Sequence, residues 1–443
     1  MKICCITLLA LLFVAASAAE ESASLPTQLD IANTLRLAGA RNTEIQIAEA
    51  HSAEAMAARD QVIQKFWPTL STGFTYKSHD GRIQNVEGRM LDTNKQSYTA
   101  GAGIWLDWSP AQIYYESLAA RQKAAAAAEL IGKSRADVLL LSASRYYDLL
   151  EAEAALAVTQ NDLQVNAEYA RQLEGGVAAG TVFRGDLLKV KARINRNEIS
   201  IRQGIEQCEV ASARLAEVLR LDAAVKLRAT KTDLVPLRLQ NAKNVKELTE
   251  KALLMRPEVQ VQTALSEAAA QEKKQATVAP WYPSLTANYG FGGLGGGQNS
   301  ELGKFGDTED SFIGLGWKIG PGGLFDGARK RTMEARVTAS HLELNRSKEG
   351  IARQVAESTA KVRSLADQIT ISSEAVRNSE ELVKLARDRQ ANQIGVVLEF
   401  LVASEELSHA RMDQVNSITE HNKAQYALRH ATGELDSGAA SGK

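Results

Sequence analysis

The chain has 443 residues, 44% of them apolar but only 5% aromatic, and 52 basic against 53 acidic residues give a formal net charge of −1. That length has room for two or three ordinary domains, yet so few rings suit Ala-rich helices better than one large globular core. The balanced charge argues against nucleic acid as a partner.

In chain order, residues 1–19 are expected to be a secretory signal. Lys2 supplies the charged end, Ile3–Ala16 the apolar run, and Ala16-Ser17-Ala18 or Ser17-Ala18-Ala19 the cleavage site. The run is too short to span a bilayer as a helix, which takes roughly 20 residues. Cys4 and Cys5 leave with it, so Cys208 is the one cysteine expected in the mature chain, without a disulfide.

A helix is expected over about 27–65, then two strands over about 69–78 and 98–108. Leu70, Phe74 and Tyr76 share one face of the first strand, with Thr69, Ser71, Thr75 and Lys77 on the other. In the second, Tyr98, Ala100, Ala102, Ile104, Leu106 and Trp108 alternate with Thr99, Gly101, Gly103 and Asp107. Lys77–Gln96 is expected to be the connecting loop. Residues 111–235 contain no proline, which permits very long helices. These are expected at 111–174 and 184–221, with a turn from Gly175-Gly176 to Gly180.

The pattern then recurs, offset by about 213–215 positions. A helix is expected at about 244–278 and strands at about 284–291 and 311–319, joined by a loop over Gly290–Gly306. Helices follow at 323–391 and 396–434, with a break at Asn392-Gln393-Ile394-Gly395. Val355, Val362, Ile369, Val376 and Val383 recur every seven residues, in phase with Leu149, Leu156, Leu163 and Ala170 of the first copy. Such spacing implies supercoiled neighbours. The chain therefore divides into the signal 1–19, a first repeat 20–240, a second repeat 241–436 and a disordered tail 437–443.

Segments of about ten residues, apolar on one side and small or polar on the other, are what a membrane β-barrel strand requires. All five tryptophans, Trp67, Trp105, Trp108, Trp281 and Trp317, lie in or beside the strands, as in an aromatic girdle at the lipid–water boundary. Four strands cannot close a barrel, and an open edge in lipid costs several kcal/mol per unpaired backbone group. Copies must pool their strands: two give eight and three give twelve, and the pattern does not choose between them. With the long helices continuing the barrel axis, the product is a tube. An exported chain with such strands implies the outer membrane of a diderm bacterium, with the helices in the periplasm.

Catalytic patterns are missing from the sequence. The six histidines show no HExxH spacing, no Gly-x-Ser-x-Gly elbow occurs, and the glycines of 290–306 lack a Gly-Lys-Ser/Thr ending. No enzyme activity, cofactor or metal is expected. A trimeric coiled-coil protein of structural or adhesive role, anchored in the outer membrane, is the alternative to a duct. Its strands would gather at one end of the chain, whereas here they form two separated pairs.

Arg256-Pro257-Glu258-Val259, Trp67-Pro68-Thr69-Leu70, Tyr282-Pro283-Ser284-Leu285 and Gly323-Leu324-Phe325-Asp326-Gly327 stand at the element boundaries. Gly180-Thr181 with Asp186-Leu187-Leu188, and Gly395 with Glu399-Phe400-Leu401, mark the two hairpin turns. In this order and twice over, the chain resembles the TolC-type outer-membrane efflux protein family across residues 25–436. The resemblance implies a mostly helical fold with transmembrane β-structure: a homotrimer with a twelve-stranded barrel and a periplasmic α-helical tunnel. It further implies a periplasmic adaptor and an inner-membrane pump as partners in efflux or type I secretion, with substrate passing through unchanged. Carried over residue by residue, Glu399 matches an acidic position that narrows the far aperture, while a second such position is Val402. Asp186, with Arg184 beside it, is the first-repeat counterpart of Glu399. Gly180, Thr181 and Gly395 would meet the adaptor, and Trp67, Trp108, Trp281, Tyr282 and Trp317 would sit at the membrane interface.

Overall fold

A computed structural model describes residues 28–435, apart from 223, 243, 299–302, 304 and 393–395. The expected signal segment, the tail and Gly395 lie outside the described residues.

The helix expected at 27–65 is three elements: β1 (Gln28–Leu29), α1 (Ile31–Arg41) and α2 (Thr43–Gln64). Asn42 makes the break, since its side chain accepts from Glu44 N–H and caps α2. The strands β2 (Thr69–Gln84) and β3 (Met90–Trp108) follow, then α3 (Pro110–Ala178) and α4 (Arg184–Leu219). The link holds β4 (Arg228–Ala229), which pairs in parallel with β1. The helix expected at 244–278 is also divided, into α5 (Val245–Met255) and α6 (Pro257–Thr277). Pro257 forces the break: Arg256, before it, is extended at φ −73°, ψ 128°. The second repeat closes with β5 (Ser284–Gln298), β6 (Gly306–Gly316), α7 (Gly327–Ala391) and α8 (Val397–Ala431). The helix α3 runs straight through Gly175-Gly176, and α7 starts after Gly323, with Asp326 accepting from Arg329 N–H as its cap. At 69 residues α3 is about 100 Å long at 1.5 Å per residue.

One antiparallel sheet, in the order β2-β3-β5-β6, holds the two strand pairs. The strands overrun their expected limits. Lys77 pairs with Ser97 and Gln84 with Met90, so most of the expected loop 77–96 is ladder. Gly293 and Leu294 pair on both sides, so β5 crosses much of the expected 290–306 loop. Backbone pairing continues where the side chains turn polar, because the ladder is made by main-chain hydrogen bonds and does not need an apolar face.

Three apolar clusters line the helices. Tyr146, Tyr147, Leu149, Leu150 and Leu215 are buried around the β1–β4 pair. Val355, Val362 and Leu365 pack with Ala252 and Leu428. Tyr169, Leu173, Leu187 and Val190 of the α3–α4 hairpin meet Ala386, Val397, Phe400 and Ala403 of α7–α8. That last cluster joins both hairpin turns at one end. On α7 the inward positions Val362, Leu365, Ile369, Ser372, Val376, Val383 and Ala386 keep the seven-residue register of a supercoil.

Candidate functional site

Residues directly opposite in a ladder share a face. Leu70, Ile104 and Tyr289 form one such row, and Leu285 with Trp108 and Leu315 another, on an apolar face where Leu70 and Ile313 are 73% and 79% exposed. The other face carries Ser71, Gly103, Gly290 and Asp310, then Gly73, Gly101, Gly292 and Thr308. Two of its glycines leave no room for a side chain: a Cβ on Gly292 would meet the Ala100 carbonyl oxygen at 2.3 Å, and one on Gly101 would meet that of Phe291 at 2.5 Å. Among the described helices none is long and apolar enough to cross a membrane. The apolar surface of this sheet is the part of the molecule that suits lipid.

The aromatic residues singled out for the interface collect where all four strands meet helices. Trp67, Trp281, Tyr282 and Trp317 are exposed there, with the Trp317 Nε1–H donating to the Trp281 carbonyl at 3.2 Å. Trp108 is half-buried against Phe66, ring centroids 6.5 Å apart. Trp105 does not join them. It pairs with Thr69 and Asn288 on the small-residue face, so the girdle of five tryptophans loses one, because a one-residue step reverses the face.

At the far end, Gly180 sits at φ +74°, a left-handed conformation that glycine adopts without strain. Thr181 N–H and Oγ1 both donate to the Gly176 carbonyl, at 2.9 and 3.1 Å. Arg184 is exposed. Asp186 lies in the first turn of α4 and pairs with Lys189 Nζ at 3.0 Å. Glu399 lies in the first turn of α8 and meets Arg389 at 3.4 Å. Both carboxylates therefore have a cation within the chain as well as a favourable helix N-terminus. Val402 is exposed, with Phe183, Leu188, Val396 and Leu398.

Sequence reasoning missed Arg389 and Lys189. Lys189 was available as an i, i+3 partner, but Arg389 reaches Glu399 across the hairpin turn, which a linear pattern does not display. It also missed the charge cluster below. Arg193 of α4 pairs with Glu405 of α8 at 2.6 Å and lies 3.9 Å from Asp162 of α3. Burial raises the Asp162 pKa above its ordinary value, against the lowering pull of Ser408 and Arg193.

Nearer mid-length, Lys423 Nζ is held by Asp148 at 2.7 Å and by Glu151 and Glu420 at 3.0 Å each. Burial works against its charge, but the carboxylates outweigh that and hold its pKa above the usual lysine range. Asp137 accepts from Lys133 and from His430 Nε2, both at 2.7 Å. Although burial raises the Asp137 pKa, these two partners bring it down to about 2. Tyr146 donates to Asp233, whose carboxylate also accepts from Ile31 N–H at 3.1 Å. Among the described residues no group of His, Cys, Asp and Glu could hold a metal ion.

The fold is that of the outer-membrane channels. It superposes on the channel OprN with a TM-score of 0.77 at 18% identity, covering 92% of this chain and 90% of that one. For VceC of Vibrio cholerae the values are 0.76 and 19%, covering 91% and 96%. For the open-state MtrE channel of Neisseria gonorrhoeae they are 0.72 and 18%, covering 91% and 89%. No curated sequence matches the chain. Residues 248–434 match the family model described as outer membrane efflux protein. The sequence match lies within the second repeat, and the TolC-type resemblance rests on it together with the shared fold of the whole chain.

Proposed function

We propose that this protein is an outer-membrane efflux channel: three copies pool their sheets into a twelve-stranded barrel, and their helices form a duct through the periplasm. The observation that carries this is the sheet itself. It has an apolar face, a small-residue face, two edges with no further strand among the described residues, and all four helix connections at one rim. Supporting it are the family match over 248–434 and the likeness to outer-membrane channels. In this arrangement the chain conducts substrate passively between a periplasmic adaptor with its inner-membrane pump and the exterior. The adaptor meets the turns at Gly180, Thr181 and Gly395. Trp67, Trp108, Trp281, Tyr282 and Trp317 mark the lipid boundary. The repeats divide at about 240.

The narrow end of the duct falls at the hairpin turns, where rings of Asp186 and Glu399 set the aperture. Because Arg389 and Lys189 accompany them, and Val402 adds no acid, the ring is only weakly cation-attracting. Purified protein in planar bilayers tests this. The expected result is a long-lived pore with slight cation preference, and Glu399→Ala raises its conductance. A protein that inserts in lipid yet never conducts favours the alternative of an anchored coiled-coil structural or adhesive protein.

A further inference from the structure

The edges of the sheet, β2 and β6, have no further strand beside them among the described residues, and their ends at the helix-side rim are not level. Pairing of β2 begins at Thr69↔Trp105. On β3 the ladder continues three steps to Trp108, opposite Leu285, and one step beyond Leu285 stands Ser284, opposite Gly316. Gly316 of β6 therefore lies four residue steps below Thr69 of β2. The slide of four residues accumulates over three ladders; with no further slide at a fourth, the seam between copies, it averages one residue per strand around the barrel. Eight-stranded barrels of shear eight have that ratio and a tilt of about 36°, within the roughly 35–45° of outer-membrane barrels.

From this we infer the seam between copies, on the trimeric-barrel reading above: β2 of one copy lies on β6 of the next with Thr69 opposite Gly316, and Lys77 forms an ion pair with the neighbouring copy's Asp310. That start keeps the average slide at one residue per strand and keeps both faces in phase across the seam. Since β2 and β6 run in opposite directions, the sheet's antiparallel alternation continues unbroken across the seam.

Counting from Thr69 and Gly316 puts Leu70 opposite Leu315, two exposed leucines on the apolar face. It puts Gly73 opposite Phe312, so a ring covers a position without a side chain, a pairing that steadies edge glycines. Lys77 comes opposite Thr308, one diagonal step from Asp310. Diagonal neighbours lie about 7–8 Å apart, within a lysine's reach. Both charges are exposed, both belong to the small-residue face, and neither meets an opposite charge among the described residues. Ser71 and Gly290, in the row of Asp310, leave it room.

The neighbouring registers fit less well. A slip of one residue turns every apolar side chain to the wrong face. A slip of two in one sense brings Lys77 directly opposite Asp310, but it also sets Asp80 against Asp307 and replaces the Leu70–Leu315 pair by Leu70–Trp317. It raises the slide to six residues per copy, a steeper tilt than the roughly 35–45° of outer-membrane barrels. In the other sense it sets Lys77 opposite Gly306 and carries Asp310 beyond its reach.

Cross-linking decides this. In a Cys208→Ser background, Leu70→Cys is combined with Leu315→Cys, Ile313→Cys or Trp317→Cys, and outer membranes are oxidised with copper phenanthroline. Denatured, non-reduced samples should show covalent trimers with Leu315→Cys and several-fold less with the other two. More product from Ile313→Cys or Trp317→Cys would overturn the register while leaving the trimer standing. No product from any pair overturns the seam if the native mass is three copies, and the trimer itself if it is one. Reversing one charge, Lys77→Asp or Asp310→Lys, should lower the temperature at which the trimer dissociates in detergent by several degrees, and combining both should restore it. Failure of the combination to recover would refute the ion pair.

Discussion

The helices α3 and α7 hold equivalent places in the two repeats, yet they are buried unequally. In the protomer α3 packs on α1, α2, α4, α6 and α8, and it fully buries Tyr146, Tyr147 and Leu149. Its counterpart α7 packs on α5, α6 and α8 and buries Val355, Val362 and Leu365, while Leu342, Ile371, Leu382 and Leu385 stay exposed. Duplication copied the helical register, but position in the protomer decides how much of each helix is covered. One repeat supplies the interior and the other supplies a margin, where a neighbouring copy would lie in a trimeric tube.

That contrast can be broken most forcefully at its interior end. Tyr146→Ala should destabilise the protomer by about 4 kcal/mol, combining a large cavity with the loss of its contact to Asp233. On α7 a matched truncation, Val362→Ala, should cost only about 1–2 kcal/mol, since fewer atoms leave the cluster. Urea midpoints of the detergent-solubilised protein would rank the two, and equal losses would erase the distinction.

A middle effect is expected at Lys423, which ties α3 to α8. Lys423→Met removes the cation shared by Asp148, Glu151 and Glu420; because Arg145 still meets Asp148 and Lys361 still meets Glu420, it should cost about 1–2 kcal/mol after allowance for their partial exposure. The thermal transition of the helical part, followed by circular dichroism, measures it. Gly180→Ala, at a positive φ, should cost about 1 kcal/mol at the α3–α4 turn and leave the β-sheet signal unchanged.

The smallest effect concerns acid. Because the folded-state pKa of Asp137 is lowered from 3.8 to about 2, its contribution is present above pH about 3.8 and fades as pH falls toward 2. Asp137→Asn should flatten that part of the acid stability curve by under about 1 kcal/mol, the group being partly exposed. An unchanged curve would show that the contacts to His430 and Lys133 add nothing.

Period carried most of the fold. Seven-residue spacing along Val355–Val383 reflects burial on one helix face, and two-residue alternation along Tyr98–Trp108 reflects a sheet with one apolar face, which is why both were legible. What was not legible lacked a one-sided apolar pattern. Residues 77–80 are strand although four exposed polar residues follow one another there. The β1–β4 pair is too short to show any period. The breaks at Asn42 and Arg256 depend on one cap and one proline inside otherwise helical text. At the far turns Asp186 and Glu399 were readable as charges near helix starts, but the arginine that meets Glu399 approaches across a turn, so only the folded hairpin reveals it.

The central claim, a duct closed by several copies, is tested most directly by the native mass of the protein extracted in detergent from outer membranes. Three copies of the mature chain are expected, persisting until the detergent micelle is stripped. A single copy that stays soluble without detergent would contradict the barrel and leave a periplasmic coiled-coil protein.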